Sequence, residues 1–110
     1  MIQLAIKKAN IELTPELEEY LEKKIKLLEK LITCKGDVPF EVEIGRTTNH
    51  HRKGSIYRAE FQITLPRILL RSESSMEDPR EAIDEAHKKI ERELIDWKDT
   101  IVSNKKRGIV

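Results

Sequence analysis

Residues 57–65 read Tyr57-Arg58-Ala59-Glu60-Phe61-Gln62-Ile63-Thr64-Leu65, and apolar and polar side chains alternate along the whole stretch. A period of two is typical of a β-strand with one buried and one solvated face. The same pattern occurs in residues 40–44, and a short apolar stretch follows Pro66, from Ile68 to about Glu73. The centre of the chain therefore predicts three strands of one sheet.

Two helices and a further strand lie outside this centre. Ile2, Leu4 and Ile6 alternate with other residues and predict a first strand with one buried face. Thr14-Pro15-Glu16 predicts the start of a helix, which we expect to run to about Ile32. A second helix is predicted from Asp78 as N-cap, Pro79 at the first helical position and Glu81 in the first turn, and its apolar stripe continues to Ile101.

The element order β-α-β-β-β-α predicts an α+β fold. We expect a two-layer sandwich in which a mainly antiparallel four-stranded sheet is covered on one face by both helices. The chain has 110 residues, so residues 1–102 are expected to form a single domain. Residues 103–110 lack periodicity and predict a flexible basic tail. The single cysteine, Cys34, and the lack of an apolar run long enough to span a bilayer lead us to expect a cytoplasmic protein.

The charge of the chain is unevenly distributed. The net charge is only +1, but residues 46–71 contain six Lys or Arg against one acid. A local basic patch attracts polyanions whatever the total charge, and RNA is the polyanion that we expect here. The basic stretch from Arg46 to Arg58 contains the first candidate RNA-binding residues. Residues 46–55 are polar and predict a hairpin loop that carries Arg46, His50, His51, Arg52 and Lys53, and Arg58 follows in the next strand.

The two helices supply further candidates. Lys24 lies in the middle of the first helix's apolar stripe, so either its side chain reaches out between the helices or it is kept for a ligand. Lys88, Lys89 and Arg92 share the polar face of the second helix, and Lys98 lies at its edge. Acids are interleaved with these bases, so an ordinary solvated helix face is the alternative interpretation.

The sequence lacks the patterns that indicate catalysis or metal binding. It contains no Gly-rich phosphate loop, no nucleophile elbow and no HExxH helix. The adjacent His50 and His51 have only Cys34 and His87 as further soft donors, and nothing places these together. We therefore expect no enzyme activity, cofactor, metal or small-molecule substrate.

Four motifs resemble the ribosome hibernation-promoting factor / ribosome-associated inhibitor family. They are Thr14-Pro15-x-Leu17, Lys24-x-x-x-Leu28-Glu29-Lys30, Tyr57-Arg58-Ala59-Glu60 and Ala82-Ile83-Asp84-x-Ala86-x-x-Lys89-Ile90-Glu91-Arg92-x-Leu94. The likeness covers roughly residues 1–98, and the last motif is the most specific. It implies a ribosome-binding domain that occupies the mRNA and tRNA path of the small ribosomal subunit, halts translation and preserves idle ribosomes. It also implies rRNA contacts from Lys24, Lys30, Lys89, Arg92 and Lys98.

The sequence departs from the family pattern at some positions. Glu93 and Asp96 stand where members of the family often have a base and an amide, which predicts weaker phosphate contacts along the distal part of the second helix. Whether the protein promotes or blocks ribosome dimerisation stays open. Two other functions are also considered: a double-stranded-RNA-binding domain, disfavoured by the acids around Asp78, and a protein–protein interaction module.

Overall fold

The structure is a computed structural model that describes residues 2–34, 36–48 and 55–106. Its elements are β1 (Ile2–Ala9), α1 (Pro15–Glu29), β2 (Val38–Thr48), β3 (Ser55–Leu65), β4 (Ile68–Met76) and α2 (Pro79–Lys106). The predicted order β-α-β-β-β-α and the α+β class are confirmed.

The four strands form one mixed sheet in the order β1-β2-β3-β4. β1 pairs with β2 in parallel, whereas the β2–β3 and β3–β4 pairs are antiparallel. The sheet is therefore mainly antiparallel, as predicted. The single parallel pair follows from the connection through α1, because parallel neighbours need a crossover, usually helical, that returns the chain to its starting edge.

One face of the sheet is covered by the helices, and we call the other the open face. Phe40 is paired with Ile63 and Val42 with Phe61, and these side chains point toward the helices. Phe40 and Phe61 meet edge to face, with ring centroids 6.2 Å apart. The buried side chains that the helices contribute are Leu17, Leu21, Ile25, Leu28, Ala82, Ile83, Ala86, Ile90 and Leu94. One hydrophobic core thus lies between the helix layer and the sheet.

Both predicted helix caps are present. Thr14 Oγ1 accepts a hydrogen bond from the Leu17 amide at 3.2 Å, and Asp78 Oδ1 accepts one from the Arg80 amide at 2.8 Å. Each cap satisfies an amide that the first turn of a helix leaves without a partner, so the starts of both helices are set by local sequence.

Other boundaries differ from the prediction. α1 ends at Glu29, and the amides of Leu31 and Ile32 bond three residues back, which continues the chain as a tight turn. β2 extends to Thr48, so Arg46 lies in a strand and not in the predicted loop. α2 continues to Lys106, so residues 103–106 of the predicted tail are helical, and residues 107–110 lie outside the described residues.

The prediction that β1 buries one face was wrong for most of the strand. Leu4 and Ile6 point to the helix side of the sheet, because they pair with Phe40 and Val42, yet they are 44% and 37% exposed. α2 packs on β3 and β4, and α1 lies beside α2. The two helices therefore do not extend far enough across the sheet to cover β1.

Candidate nucleic-acid interface

The basic stretch from Arg46 to Arg58 does not form one surface. Arg46 lies two residues beyond the buried Ile44 in β2 and pairs with Tyr57, so its side chain is on the helix side of the sheet. Arg58 pairs with Gly45 and lies on the open face. The remaining candidates of this stretch, His50, His51, Arg52 and Lys53, lie outside the described residues. The pleat of the sheet thus separates two bases that the sequence places twelve positions apart.

Arg58 is held by three carboxylates on the open face. Its Nη1 is 3.0 Å from Glu43 Oε1, and its Nη2 is 2.6 Å from Glu60 Oε2 and 2.7 Å from Glu73 Oε2. The hydrogen bond to Glu73 is the main cause that raises the pKa of Arg58, while burial acts in the opposite direction. This guanidinium already has carboxylate partners and is less available to a phosphate.

Arg71 completes the same ionic network, which we call the open-face network (Glu43, Arg58, Glu60, Arg71 and Glu73). Arg71 Nη2 lies 2.7 Å from Glu60 Oε2 and 3.5 Å from Glu73 Oε2. Burial alone raises the pKa of Glu60, but the hydrogen bonds and charges of Arg71 and Arg58 outweigh it and lower that pKa. The network contains three acids and two bases, so it presents no excess positive charge.

Lys24 takes part in a contact between the two helices. Its Nζ lies 3.4 Å from Asp84 Oδ1 and 5.4 Å from the centroid of the Tyr20 ring, over which Arg80 also lies. The Tyr20 hydroxyl donates a hydrogen bond to the same carboxylate oxygen. The Lys24 side chain is 24% exposed, so it reaches out between the helices as the first of the two sequence interpretations proposed. The sequence did not indicate its partner Asp84.

Tyr20 and Asp84 titrate differently because they share this contact. The hydrogen bond to Asp84 raises the pKa of Tyr20. Burial raises the pKa of Asp84, but the hydrogen bonds from Tyr20 and Lys24 and the charge of Lys24 outweigh it, so that pKa is lowered. At neutral pH the site holds a carboxylate between a phenol and an ammonium group, which joins α1 to α2.

His87 lies next to this contact and was not predicted as a notable residue. It is 5% exposed, and its Nε2 is buried without a hydrogen-bond partner. Burial lowers the pKa of His87, and the nearby Lys24 lowers it further, against the opposing effect of Glu91 and Asp84. The signal was present in the sequence, since His87 falls between Ile83 and Ile90 on the apolar stripe of α2.

The outer surface of α2 presents bases toward solvent. Lys88 is 73% exposed and makes one long contact of 3.8 Å with Glu85. Lys89 donates to the backbone carbonyl of Glu73 at 3.1 Å, beside the edge of β4. Arg92 is exposed and forms no ion pair with any described residue. Lys98 is partly exposed six residues further along the helix.

Lys30 and Arg46 are exposed at opposite ends of the helix layer. Lys30 follows the last turn of α1 as its C-cap. Arg46 lines an open cleft with Asn10, Tyr57 and Arg80 at the end where both helices begin. The carboxylate of Asp78 lines the same cleft and caps α2, so the N-terminus of α2 is a poor phosphate site.

Other kinds of site find little support among the residues that the structure describes. These residues contain no group of three or more His, Cys, Asp or Glu side chains arranged to hold a metal ion. Neither described helix has a stretch that is both long and apolar enough to cross a membrane. The arrangement that remains is a set of exposed bases on α2 and at the ends of the helix layer, which fits a polyanion.

Comparison with known proteins gives a consistent family. The family model described as "Sigma 54 modulation protein / S30EA ribosomal protein" matches residues 4–102. The chain is 34% identical to the ribosome hibernation promotion factor of Bacillus subtilis over 89 residues, which cover 81% of this chain and 44% of that protein. The protein of the same name from Lactococcus lactis is 30% identical over 112 residues, covering 100% of this chain and 56% of the relative. The chain spans about half the length of these relatives.

Two solved structures have a similar fold. The N-terminal domain of Protein Y from Thermus thermophilus superposes with a TM-score of 0.65 at 28% sequence identity, covering 84% of this chain and 93% of that domain. A ribosomal subunit interface protein from Coxiella burnetii gives a TM-score of 0.66 at 18% identity, covering 90% and 99%. The second likeness, at this low identity, concerns the fold alone.

Proposed function

Because this chain belongs to the Sigma 54 modulation protein / S30EA ribosomal protein family, we propose that it is a ribosome hibernation factor. It binds the small ribosomal subunit in the path of mRNA and tRNA, inhibits translation and stabilises idle ribosomes. The names of its relatives support the hibernation role, and the small subunit is the target that the motif resemblance implies. The proposed place of action is the cytoplasm, where ribosomes are.

The observation that carries the proposal is the exposed base Arg92 together with its neighbours Lys88 and Lys89. Neither base is tightly paired with the described part of the chain: Arg92 forms no ion pair there, and Lys88 forms one that is long and exposed, with Glu85. When such bases contact the phosphates of a nucleic acid, they displace the counterions bound there. The release of these counterions drives the association. The function is therefore one of binding and obstruction, which requires no chemical step.

The other candidate residues differ in their expected contribution. Lys30, Arg46 and Lys98 are at least partly exposed, and we propose them as further phosphate contacts at the margins of the surface. Lys24 and Arg58 already have carboxylate partners, so we expect each to contribute less to RNA binding than its charge implies. His50, His51, Arg52 and Lys53 stay predictions, because they lie outside the described residues.

Co-sedimentation with purified small subunits tests the proposal directly. The full chain is expected to pellet with small subunits at low salt, to lose affinity steeply as salt rises, and to inhibit a cell-free bacterial translation system. Absence of binding at low salt would refute the proposal. Binding that is insensitive to salt would favour an apolar protein–protein interface instead.

A pair of double variants locates the surface. Lys89→Glu with Arg92→Glu is expected to abolish binding while the thermal unfolding midpoint stays nearly unchanged, because both side chains are exposed. The matched control is Lys8→Glu with Arg67→Glu, which changes the net charge equally at exposed positions away from α2, neither of them opposite an acid in the sheet. Equal losses in both pairs would show that total charge, and not the surface of α2, governs binding.

A further inference from the structure

The open cleft at the end of the molecule where both helices begin has an apolar part. Its lining includes Ile11 from the connection after β1, Leu17 from the first turn of α1 and Tyr57 from β3. Leu17 belongs to the hydrophobic core, and the other two pack against it. Concave sites with apolar surface and a few polar groups are where small ligands bind. The cleft therefore has the form of a ligand site and not of a flat charged surface.

Tyr57 and Arg46 stand side by side in this cleft. They pair across β3 and β2 on the helix side of the sheet, so their Cβ atoms are about 4.5–5.5 Å apart. The Tyr57 hydroxyl forms no hydrogen bond with any residue that the structure describes. An aromatic ring beside a guanidinium group can take one planar ligand, which stacks on the ring and accepts hydrogen bonds at its edge.

The polar lining of the cleft carries charges of both signs. Arg46 and Arg80 supply two guanidinium groups, and neither forms an ion pair within residues 2–34, 36–48 and 55–106. Arg80 has the Tyr20 ring as a further neighbour, 5.4 Å from the ring centroid. Glu12 and Asp78 supply two carboxylates, and one oxygen of Asp78 accepts the Arg80 amide. Acids in equal number oppose a bare phosphate, so the cleft favours a ligand that offers both acceptors and donors.

We propose that this cleft binds a guanine nucleotide through its base. Guanine presents the acceptors O6 and N7 on one edge and the donors N1–H and N2–H₂ on the adjacent edge. Arg46 donates to O6 and N7, the contact that arginine makes most often with a base. The carboxylates of Glu12 and Asp78 are the acceptors for N1–H and N2–H₂, and the face of the base lies against Tyr57.

The carboxylates distinguish guanine from the other bases. Adenine and uracil alternate donors and acceptors along their edges, and cytosine has a single donor group, whereas guanine offers two adjacent acceptors and two adjacent donors. A phosphate offers no donor to Glu12 or Asp78 at all. The guanine can belong to a free nucleotide or to an unpaired position of an RNA strand. The assignment to RNA rests on the proposed function, and Arg46 then contacts a base and not a phosphate.

The test compares bases at constant charge. The intact, isotope-labelled chain is titrated with GMP, AMP, CMP and UMP, and amide shifts are followed by NMR. We expect GMP to bind roughly tenfold more tightly than AMP or UMP and to shift the amides around Glu12, Arg46 and Tyr57. A second arm uses oligouridine tetranucleotides that carry a single G, A or C. Tighter binding of the G-containing strand than of GMP assigns the site to RNA, and the reverse assigns it to a free nucleotide.

A double variant tests the role of the acids. Glu12→Gln with Asp78→Asn removes both carboxylates, and the asparagine keeps an oxygen that can cap α2. We expect the preference for GMP over AMP to fall, whereas a cleft that only attracts phosphate would bind every nucleotide more tightly. The matched control, Glu18→Gln with Glu22→Gln, neutralises two exposed acids of α1 that do not line the cleft, and the preference should stay unchanged.

Two single variants test the ring and the guanidinium group. Tyr57→Leu keeps an apolar side chain but removes the stacking surface, and it should weaken the binding of all four nucleotides. Arg46→Gln should weaken GMP most, and its matched control is Arg67→Gln, an exposed arginine outside the cleft. Circular dichroism of each variant establishes that it is folded.

Three results would overturn the proposal. Equal affinity for the four mononucleotides would remove the base recognition, and the absence of amide shifts with every nucleotide and oligonucleotide would remove the site. Tighter binding of every nucleotide by Glu12→Gln with Asp78→Asn would make the cleft a phosphate site. The proposed function fails by a different result, the absence of co-sedimentation with small subunits, which leaves the nucleotide titration unaffected.

Discussion

The open face of the sheet and the outer surface of α2 both display arginine, but in opposite surroundings. Arg58 on the open face contacts the carboxylates of Glu43, Glu60 and Glu73. Arg92 on α2 is exposed and has no ion-pair partner among the described residues. The sequence assigned both to RNA binding, yet only the second has no ion-pair partner among the described residues. A count of bases along a chain therefore overstates the charge that a ligand can use.

Strand register explains the difference. Glu43 pairs with Glu60, and Glu60 pairs with Glu73, so three carboxylates stand in a row across three strands. Like charges in directly opposite positions destabilise a sheet. Arg58 and Arg71 lie diagonally on either side of the row and neutralise it. On this face the arginines offset the repulsion among the three carboxylates, whereas Arg92 on α2 contacts no described carboxylate.

The largest expected effect is on ribosome binding. Lys88→Gln with Arg92→Gln should lower the affinity for small subunits by roughly tenfold or more and reduce the slope of its salt dependence by about two. Arg58→Gln with Arg71→Gln removes the same charge from the open face and should change the affinity much less. Affinities from salt-dependent co-sedimentation measure both. Equal losses of affinity would show that the open face contributes to ribosome binding as much as the surface of α2 does.

For the free energy of unfolding, we expect the open-face variant to be affected more than the α2 variant. Arg58→Gln with Arg71→Gln leaves Glu43, Glu60 and Glu73 without their arginine partners, and we expect the free energy of unfolding to fall. Lys88→Gln with Arg92→Gln should stay within about 0.5 kcal/mol of the parent. Urea unfolding followed by circular dichroism makes the measurement. A stable open-face variant would mean that the network is only a solvated surface.

The pH dependence of stability distinguishes the open face from the buried side of α2, because Glu60 and His87 titrate in different pH ranges. Burial lowers the pKa of His87, so the unfolded chain takes up its proton first and stability falls as the pH drops below about 6.5. Glu60 has a lowered pKa, so its contribution is complete above about pH 4.3 and is lost as the pH falls through that lowered value.

A single variant separates these two steps. In His87→Leu the loss of stability between pH 7 and pH 5 should be smaller than in the parent, while the loss below pH 4 persists. Thermal unfolding midpoints across this range provide the readout. If the variant kept the full dependence above pH 5, another group would be responsible; Lys24, Asp84 and Glu91 are the residues whose charges act on His87.

The smallest expected effect concerns a third arginine. Arg67 lies in the two-residue turn between β3 and β4 with φ 67°, a left-handed conformation that favours glycine. Arg67→Gly should relieve this strain and raise the free energy of unfolding by about 0.5–1 kcal/mol. Small-subunit affinity should stay the same, since Arg67 belongs to neither surface. Reduced stability would show that Arg67 makes a favourable contact that outweighs the strain.

Local patterns predicted most of the fold. The alternation in residues 57–65 and the caps at Thr14 and Asp78 set elements that the structure confirms. The predicted ends of elements were wrong where strand pairing determines them. Arg46 lies in a polar segment that resembles a loop, but it pairs with Tyr57 in β3 and therefore belongs to β2. The exposure of Leu4 and Ile6 could not be predicted, because it depends on how far the helix layer extends across the sheet.

The candidate site was predictable only in part for the same reason. Arg92 lies one turn beyond the adjacent Lys88 and Lys89 on α2, so their common exposure follows from helical geometry. The partner of Lys24 is Asp84, which lies 60 residues further along the chain. The partners of Arg58 include Glu43 and Glu73 in the two neighbouring strands. No local pattern encodes those distances.

By itself the sequence determined the order of the elements, the faces of the helices and the family, because these depend on periodicity, caps and motifs within short segments. Only the tertiary structure decided which charges are free. It neutralised Arg58, placed Lys24 against Asp84, left Arg92 open to solvent and exposed the edge of β1. The physical reason is that a charge acts through its neighbours in space, and folding brings together neighbours that are far apart in the chain.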